Sequence, residues 1–202
     1  MTDSTSSEHS IGSSSTKRAM LFWSSAIPLA VVGTAGSVFL SMGLGLKACP
    51  LCFYQRSFVM AVLAVLALGR YLEPSRPGLI CLLSVPLAWA GFGVASFHFE
   101  LVATKVLECP PGLFGLFGTA PAQSLVLFSF LASDVSMAAW CGRRESERQG
   151  ASTLIAATLL GIVLAIACVK SSPPLPKVPA AAYDPVKDPL DTCRRPFRAP
   201  TN

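Results

Sequence analysis

Five stretches of this chain are too long, too apolar and too free of charge to belong to a water-soluble fold. Met20 to Leu44 holds no Asp, Glu, Lys or Arg over 25 residues. Phe53 to Gly69 is apolar after its first turn, and Gly78 to Phe97 is uncharged over 20 residues. Pro121 to Trp140 is interrupted only by Asp134, and Ser152 to Val169 adds 18 uncharged residues. A helix needs about 20 apolar residues to cross the hydrocarbon of a bilayer. Lipid offers the backbone no hydrogen bonds, so only helices and closed barrels span it. Val, Leu, Ala and Phe fill these blocks without the period-2 alternation of barrel strands. The expected fold is therefore all-α, a polytopic membrane helix bundle with five transmembrane helices. Charged residues make up 13% of the chain, against about 25% in soluble domains, which excludes a disordered chain and an ordinary globule. The net charge of +5 is spread over loops and tails with no basic patch carrying interleaved aromatics, so nucleic acid is not an expected partner.

The ends differ from the middle. Residues 1–18 hold seven serines and three threonines without apolar periodicity, which predicts a disordered tail. Residues 19–169 form the transmembrane domain. Residues 170–202 hold eight of the 16 prolines, which predicts an extended tail without helix. The first block is longer than the apolar core of a signal peptide, and no convincing cleavage site follows it. Lysine and arginine near span ends set orientation. Lys17 and Arg18 before the first span, Arg70 and Arg76 after the second, and Arg143, Arg144 and Arg148 after the fourth place the N-terminus and these loops in the cytoplasm. Lys47, Lys105 and the proline-rich tail then face outward.

The seven cysteines are an odd number, so at least one thiol is free or pairs outside the chain. The most informative run is Cys49-Pro50-Leu51-Cys52-Phe53-Tyr54-Gln55-Arg56, at the outer start of the second span. A C-x-x-C pair can close a small disulfide ring. Cys52 sits where free amides and the helix dipole favour a thiolate. Arg56, four residues on, shares its helix face and would favour that thiolate further, or an anion reacting with it. An arginine in the first turn of a span is costly and points to function; alternatively it snorkels to the headgroups. Zinc is disfavoured, because no second pair with zinc spacing exists and His98 is the only nearby histidine. Cys81 and Cys168, inside spans three and five, are expected to act as small hydrophobes.

The run CPLCFYQR between two spans resembles the bacterial disulfide bond formation protein B (DsbB) family over roughly residues 20–169. The resemblance implies a four-helix core in the inner membrane and a thiol oxidase. It would take electrons from a periplasmic thioredoxin-fold (DsbA-like) dithiol protein and pass them to a quinone, ubiquinone or menaquinone. It assigns the first redox pair to Cys49 and Cys52, and quinone-binding roles to Arg56 and His98. Cys109 matches the family's third cysteine. Its partner has two readings. In a four-span plan Cys141 pairs with Cys109, and residues 121–140 lie on the membrane surface. In a five-span variant residues 121–140 cross, Cys141 falls in the reducing cytoplasm, and Cys193 of the outer tail is the partner. The second is preferred: Ser129, Ser133 and Ser136 are small, as packing between membrane helices favours, and Pro121 suits a first turn. Two other functions use the same cysteines: soft-metal transport or handling, and a reductant carrier running in the opposite direction. Direction depends on potentials that no motif displays.

Overall fold

The computed structural model describes residues 5–113, 118–145, 150–179, 181–184 and 186–197. Arg148 and residues 1–4 lie outside the described residues, as do 180, 185 and 198–202. The described chain forms five long helices: α1 Thr5–Met42, α2 Pro50–Leu72, α3 Pro77–Ala103, α4 Ala120–Cys141 and α5 Ala151–Ser171. All five are long and apolar enough to cross a membrane, α1 through its part Ser15–Met42. The chain is an all-α helical bundle.

Proline marks three of the starts. Pro50, Pro77 and Pro121 fall in the first turns of α2, α3 and α4, where a missing N–H costs nothing and the fixed φ already suits a helix. Helix α1 begins at Thr5, ahead of the first uncharged block. No proline precedes Pro28, and a helix nucleated by the span extends one hydrogen bond per residue at little cost. After Ser171 the described residues form no further helix. Helix α3 continues six residues past Phe97 to Ala103, which brings His98 inside the helix.

Helix α3 is the hub, packed against α1, α2, α4 and α5. Trp23, Leu66, Val85, Phe128, Leu131 and Val135 fill the interior, with buried Ala26, Ala30, Ala88, Ala95, Ala132 and Ala138 between them. Small side chains let membrane helices approach until their backbones pack, since lipid supplies no hydrophobic drive between them. Helix α5 packs on α3. At Gly161 a Cβ would stand 2.7 Å from the Pro86 carbonyl oxygen and 2.7 Å from the Trp89 Cβ. At one end of the bundle Arg70 lies over Trp23 at 5.4 Å and Arg143 over Trp140 at 4.1 Å, cation–aromatic pairs of the kind that sit at a membrane–water boundary.

The helices alternate in direction. The α1–α2 loop, the α3–α4 loop and the segment after α5 therefore share the other end. There the tail is tied down. Arg194 N–H donates to the Glu108 carbonyl at 2.9 Å and Glu108 N–H to the Arg194 carbonyl at 2.8 Å, a single antiparallel bridge. Lys47 N–H donates to the Asp191 carbonyl at 2.8 Å, and the two side chains form an ion pair at 2.7 Å. The Arg194 guanidinium lies 3.6 Å over the Tyr183 ring.

Replacing Gly161 with Leu is expected to destabilise the bundle by about 1–3 kcal/mol, the usual cost of overpacking, because the obstructing group at Pro86 is backbone. Thermal unfolding of the detergent-solubilised protein measures it. An unchanged midpoint would mean that α5 does not pack on α3 through this glycine.

Candidate active site: two sulfur pairs around a buried histidine

The site is built on the first turn of α2. Cys49 is the helix N-cap, with extended backbone at φ −69° and ψ 162°, and its Sγ accepts from the Cys52 N–H at 3.2 Å. The sulfur thus takes the place that an oxygen usually fills at a helix start. The two Sγ atoms of the motif are 2.8 Å apart. The hydrogen bond from Cys52 is the chief cause holding the Cys49 thiol well below the ordinary thiol range. Burial opposes it, and His98 and the Cys52 amide add to it. The contact with the Cys52 thiol, more than the helix amide, therefore favours a thiolate on Cys49.

His98 is fully buried and stands among the sulfurs. Its Nε2 lies 3.4 Å from Cys109 Sγ, 3.4 Å from Cys193 Sγ and 3.8 Å from Cys49 Sγ. Its Nδ1 lies 3.3 Å from the Gln55 side-chain nitrogen. Cys109 and Cys193 are joined as a disulfide, with Cα atoms 4.2 Å apart across 84 residues of sequence. One imidazole nitrogen therefore touches both pairs. The bridge between Glu108 and Arg194 adjoins the disulfide on both strands, so backbone hydrogen bonds hold Cys109 and Cys193 against α3.

On the other side of Cys52 lies a cavity of about 230 Å³ between α1, α2 and α4, mostly apolar, with Cys52, Gln55, Arg56 and Cys193 in its wall. Arg56 does not reach for headgroups. Its Nε donates to Ser37 Oγ at 2.7 Å, and its Nη2 donates to the Ser37 carbonyl at 2.8 Å and to Ser41 Oγ. The guanidinium is thus bonded inside the bundle, next to a cavity that also exposes a thiol. Such a wall suits a lipophilic molecule carrying oxygen acceptors. His98 stands behind Gln55 and approaches the cavity through it.

Cys141 ends α4 at the opposite end of the bundle, where its carbonyl accepts from Ser15 Oγ. The 22 residues of α4 at about 1.5 Å each separate it from Cys109. Cys81 is buried in α3, and Cys168 lies partly buried in α5. Sequence reasoning gave no role to Gln55, Ser37 or Ser41. Gln55 is an amide in the first turn of an apolar helix, and Ser37 and Ser41 are four apart on one face of α1. Both are visible signals, but only packing shows which groups they meet.

The family model described as "Disulfide bond formation protein DsbB" matches residues 17–171. The chain belongs to the DsbB family. It is a multi-pass membrane protein, and family membership gives it an oxidoreductase role in disulfide bond formation. Its relatives are moderately similar. A "Probable disulfide formation protein" of Chlamydia trachomatis is 32% identical over 111 residues, covering 50% of this chain and 79% of the relative. A protein of the same description from Metapseudomonas resinovorans is 25% identical over 114 residues, covering 51% and 77%. A "Disulfide bond formation protein B" of Methylococcus capsulatus is 32% identical over 92 residues, covering 43% and 56%. No solved structure matches the chain.

The Cys49 thiol ionises at lower pH than a free thiol, so its thiolate persists as pH falls. In the reduced protein, iodoacetamide labelling of Cys49 is expected to reach half its maximal rate well below the value of about 8.5 for free cysteine. Cys52→Ala should move that half-point upward by removing the chief stabilising contact. Peptide mass analysis reads both, and a half-point equal to that of a free thiol would contradict the geometry.

Proposed function

We propose that this DsbB-family protein is a protein-dithiol:quinone oxidoreductase that reoxidises a periplasmic thioredoxin-fold (DsbA-like) dithiol protein. The observation that carries the reading is the position of Cys52. It shares a cavity wall with Arg56 on one side and lies next to Cys49, His98 and the second pair on the other.

A thiolate of the reduced partner attacks the Cys109–Cys193 disulfide. The partner leaves oxidised, and two electrons and two protons remain on Cys109 and Cys193. Thiol–disulfide exchange passes them to an oxidised Cys49–Cys52 pair, which becomes the dithiol as Cys109–Cys193 closes again. His98 Nε2, within 3.8 Å of three of the sulfurs, lowers the cost of negative charge on whichever sulfur carries it. Arg56 and Gln55 are the groups in the cavity wall suited to hold quinone oxygens. A quinone held there would supply the two-electron, two-proton acceptor, and the Cys49–Cys52 dithiol would return to its disulfide as it gives them up. Arg56 favours an anionic sulfur at Cys52 while the electrons move. Roles for Arg56 and His98 thus differ: Arg56 faces the cavity, and His98 serves the sulfurs.

The cysteines belong to the periplasmic side on this reading, and the N-terminus to the cytoplasm, in a bacterial inner membrane. The support is in the short segments: Lys17 and Arg18 before the first span, Arg70 and Arg76 after the second and Arg143 after the fourth lie toward the end remote from the cysteines, against one lysine each, Lys47 and Lys105, in the two short loops at the cysteine end.

Quinone absorbance during turnover with a reduced partner tests the scheme. Cys49→Ser and Cys52→Ser should each abolish turnover. Arg56→Met should lower it about a hundredfold, the usual scale for one lost charge-stabilising donor, with partner binding near normal. Cys193→Ser should block entry from the protein partner yet allow turnover with a small dithiol, and Cys141→Ser should behave as wild type. Substantial turnover in Cys52→Ser would remove the mechanism. An essential Cys141 with a dispensable Cys193 would remove the tail's part in it.

A further inference from the structure

We propose that the fully reduced protein binds one soft divalent cation of the zinc class through Cys49, Cys52, Cys193 and His98. The ligand atoms of these four residues, Sγ of each cysteine and a ring nitrogen of His98, all lie within 4.8 Å of one another. A tetrahedral zinc with bonds of about 2.3 Å to sulfur and about 2.0–2.1 Å to nitrogen implies N···S edges of about 3.6 Å and S···S edges of about 3.8 Å. His98 Nε2 stands 3.4 Å from Cys193 Sγ and 3.8 Å from Cys49 Sγ, edges that already fit. The Cys49 and Cys52 sulfurs, at 2.8 Å, have to open by about 1 Å to reach such an edge, a side-chain rotation at the mouth of an existing cavity.

Three further features support the site. The ligand set is three thiols and one imidazole, a combination that selects zinc-like ions over hard cations. The imidazole has a partner on its other nitrogen: Nδ1 lies 3.3 Å from the Gln55 side-chain nitrogen, and metal binding at Nε2 requires that amide to turn so that its oxygen accepts from Nδ1–H, the usual support of a metal-bound histidine. And Cys193 stays in place when its disulfide opens, because Asp191 on one side and Arg194 on the other are hydrogen-bonded to Lys47 and Glu108. Three thiols lose their protons to solvent on binding. The resulting single negative charge on the complex lies beside Arg56, which lines the same cavity as Cys52 and Cys193.

Oxidation state gates the site. With Cys109–Cys193 closed, Cys193 offers no thiolate, and with Cys49–Cys52 closed two more ligands are lost. Metal and disulfide therefore compete for the same sulfurs. A reduced chain that takes up the ion is held out of thiol–disulfide exchange until the ion is removed.

Anaerobic titration of the reduced, full-length protein in micelles with cadmium, followed by thiolate-to-cadmium charge-transfer absorption, tests this without quinone or partner. The expected result is one cadmium per chain in the reduced protein and none in the oxidised protein. His98→Asn and Cys193→Ser should each weaken binding by about tenfold or more, and Gln55→Leu by about 10–100-fold as an outer-shell loss. The triple variant Cys81→Ser, Cys141→Ser, Cys168→Ser should bind as wild type. Binding that survives oxidation, ignores both His98→Asn and Cys193→Ser, or disappears in the triple variant would overturn the proposal, as would the absence of stoichiometric binding. Redox-gated cadmium binding in a chain that does not reduce quinone would uphold this site while removing the oxidase reading; quinone turnover without such binding would remove only the metal site.

Discussion

Lipid gives a backbone nothing to bond to, and a fourth apolar stretch decides how this chain meets that condition. Residues 120–141 form a helix of 22 residues, about 33 Å at 1.5 Å per residue, which matches a hydrocarbon core of about 30 Å. With that helix crossing, the number of spans is odd. The segment after α5 then emerges at the same end as the α1–α2 and α3–α4 loops. Cys193 can reach Cys109 only under that condition, and Cys141 is carried to the far end by the same helix. The disulfide across 84 residues is thus a consequence of span parity before it is a matter of local geometry.

Within that end, the site is an arrangement of buried polar groups that satisfy one another. A histidine without exposure in the last turns of a membrane helix needs partners. His98 finds them in Gln55 and three sulfurs. Arg56 finds its partners in Ser37 and Ser41 of α1, which fixes its charge at the cavity and ties α2 to α1. The tail is held by a two-bond backbone bridge and an ion pair. The Lys47–Asp191 pair is exposed and contributes little by itself, but its backbone hydrogen bond and the Glu108–Arg194 bridge set the register that aims Cys193 inward.

Much of this was legible in the sequence, for particular reasons. The spans were readable because charge is absent over lengths that only a bilayer accommodates. The C-x-x-C-x-x-x-R run was readable because helical spacing puts Cys52 and Arg56 on one face. The N-terminal boundary was not, since serine-rich composition says little about a helix that a neighbouring span has already nucleated. Nor was the position of His98. Packing sets it within reach of three sulfurs, with Gln55 between it and the cavity, contacts that no spacing in the sequence records. The same packing explains why spacing argued against a metal: the ligands come from three separate segments, a loop-to-helix junction, the end of α3 and the tail, and no sequence interval records their meeting.

The account depends most on the pairing that five spans permit. Non-reducing peptide mapping of the oxidised protein, purified with free thiols blocked at lysis, measures it directly. The account predicts a linked peptide containing Cys109 and Cys193, with Cys141 recovered as the blocked thiol. A linked peptide containing Cys109 and Cys141, with Cys193 blocked, would contradict it.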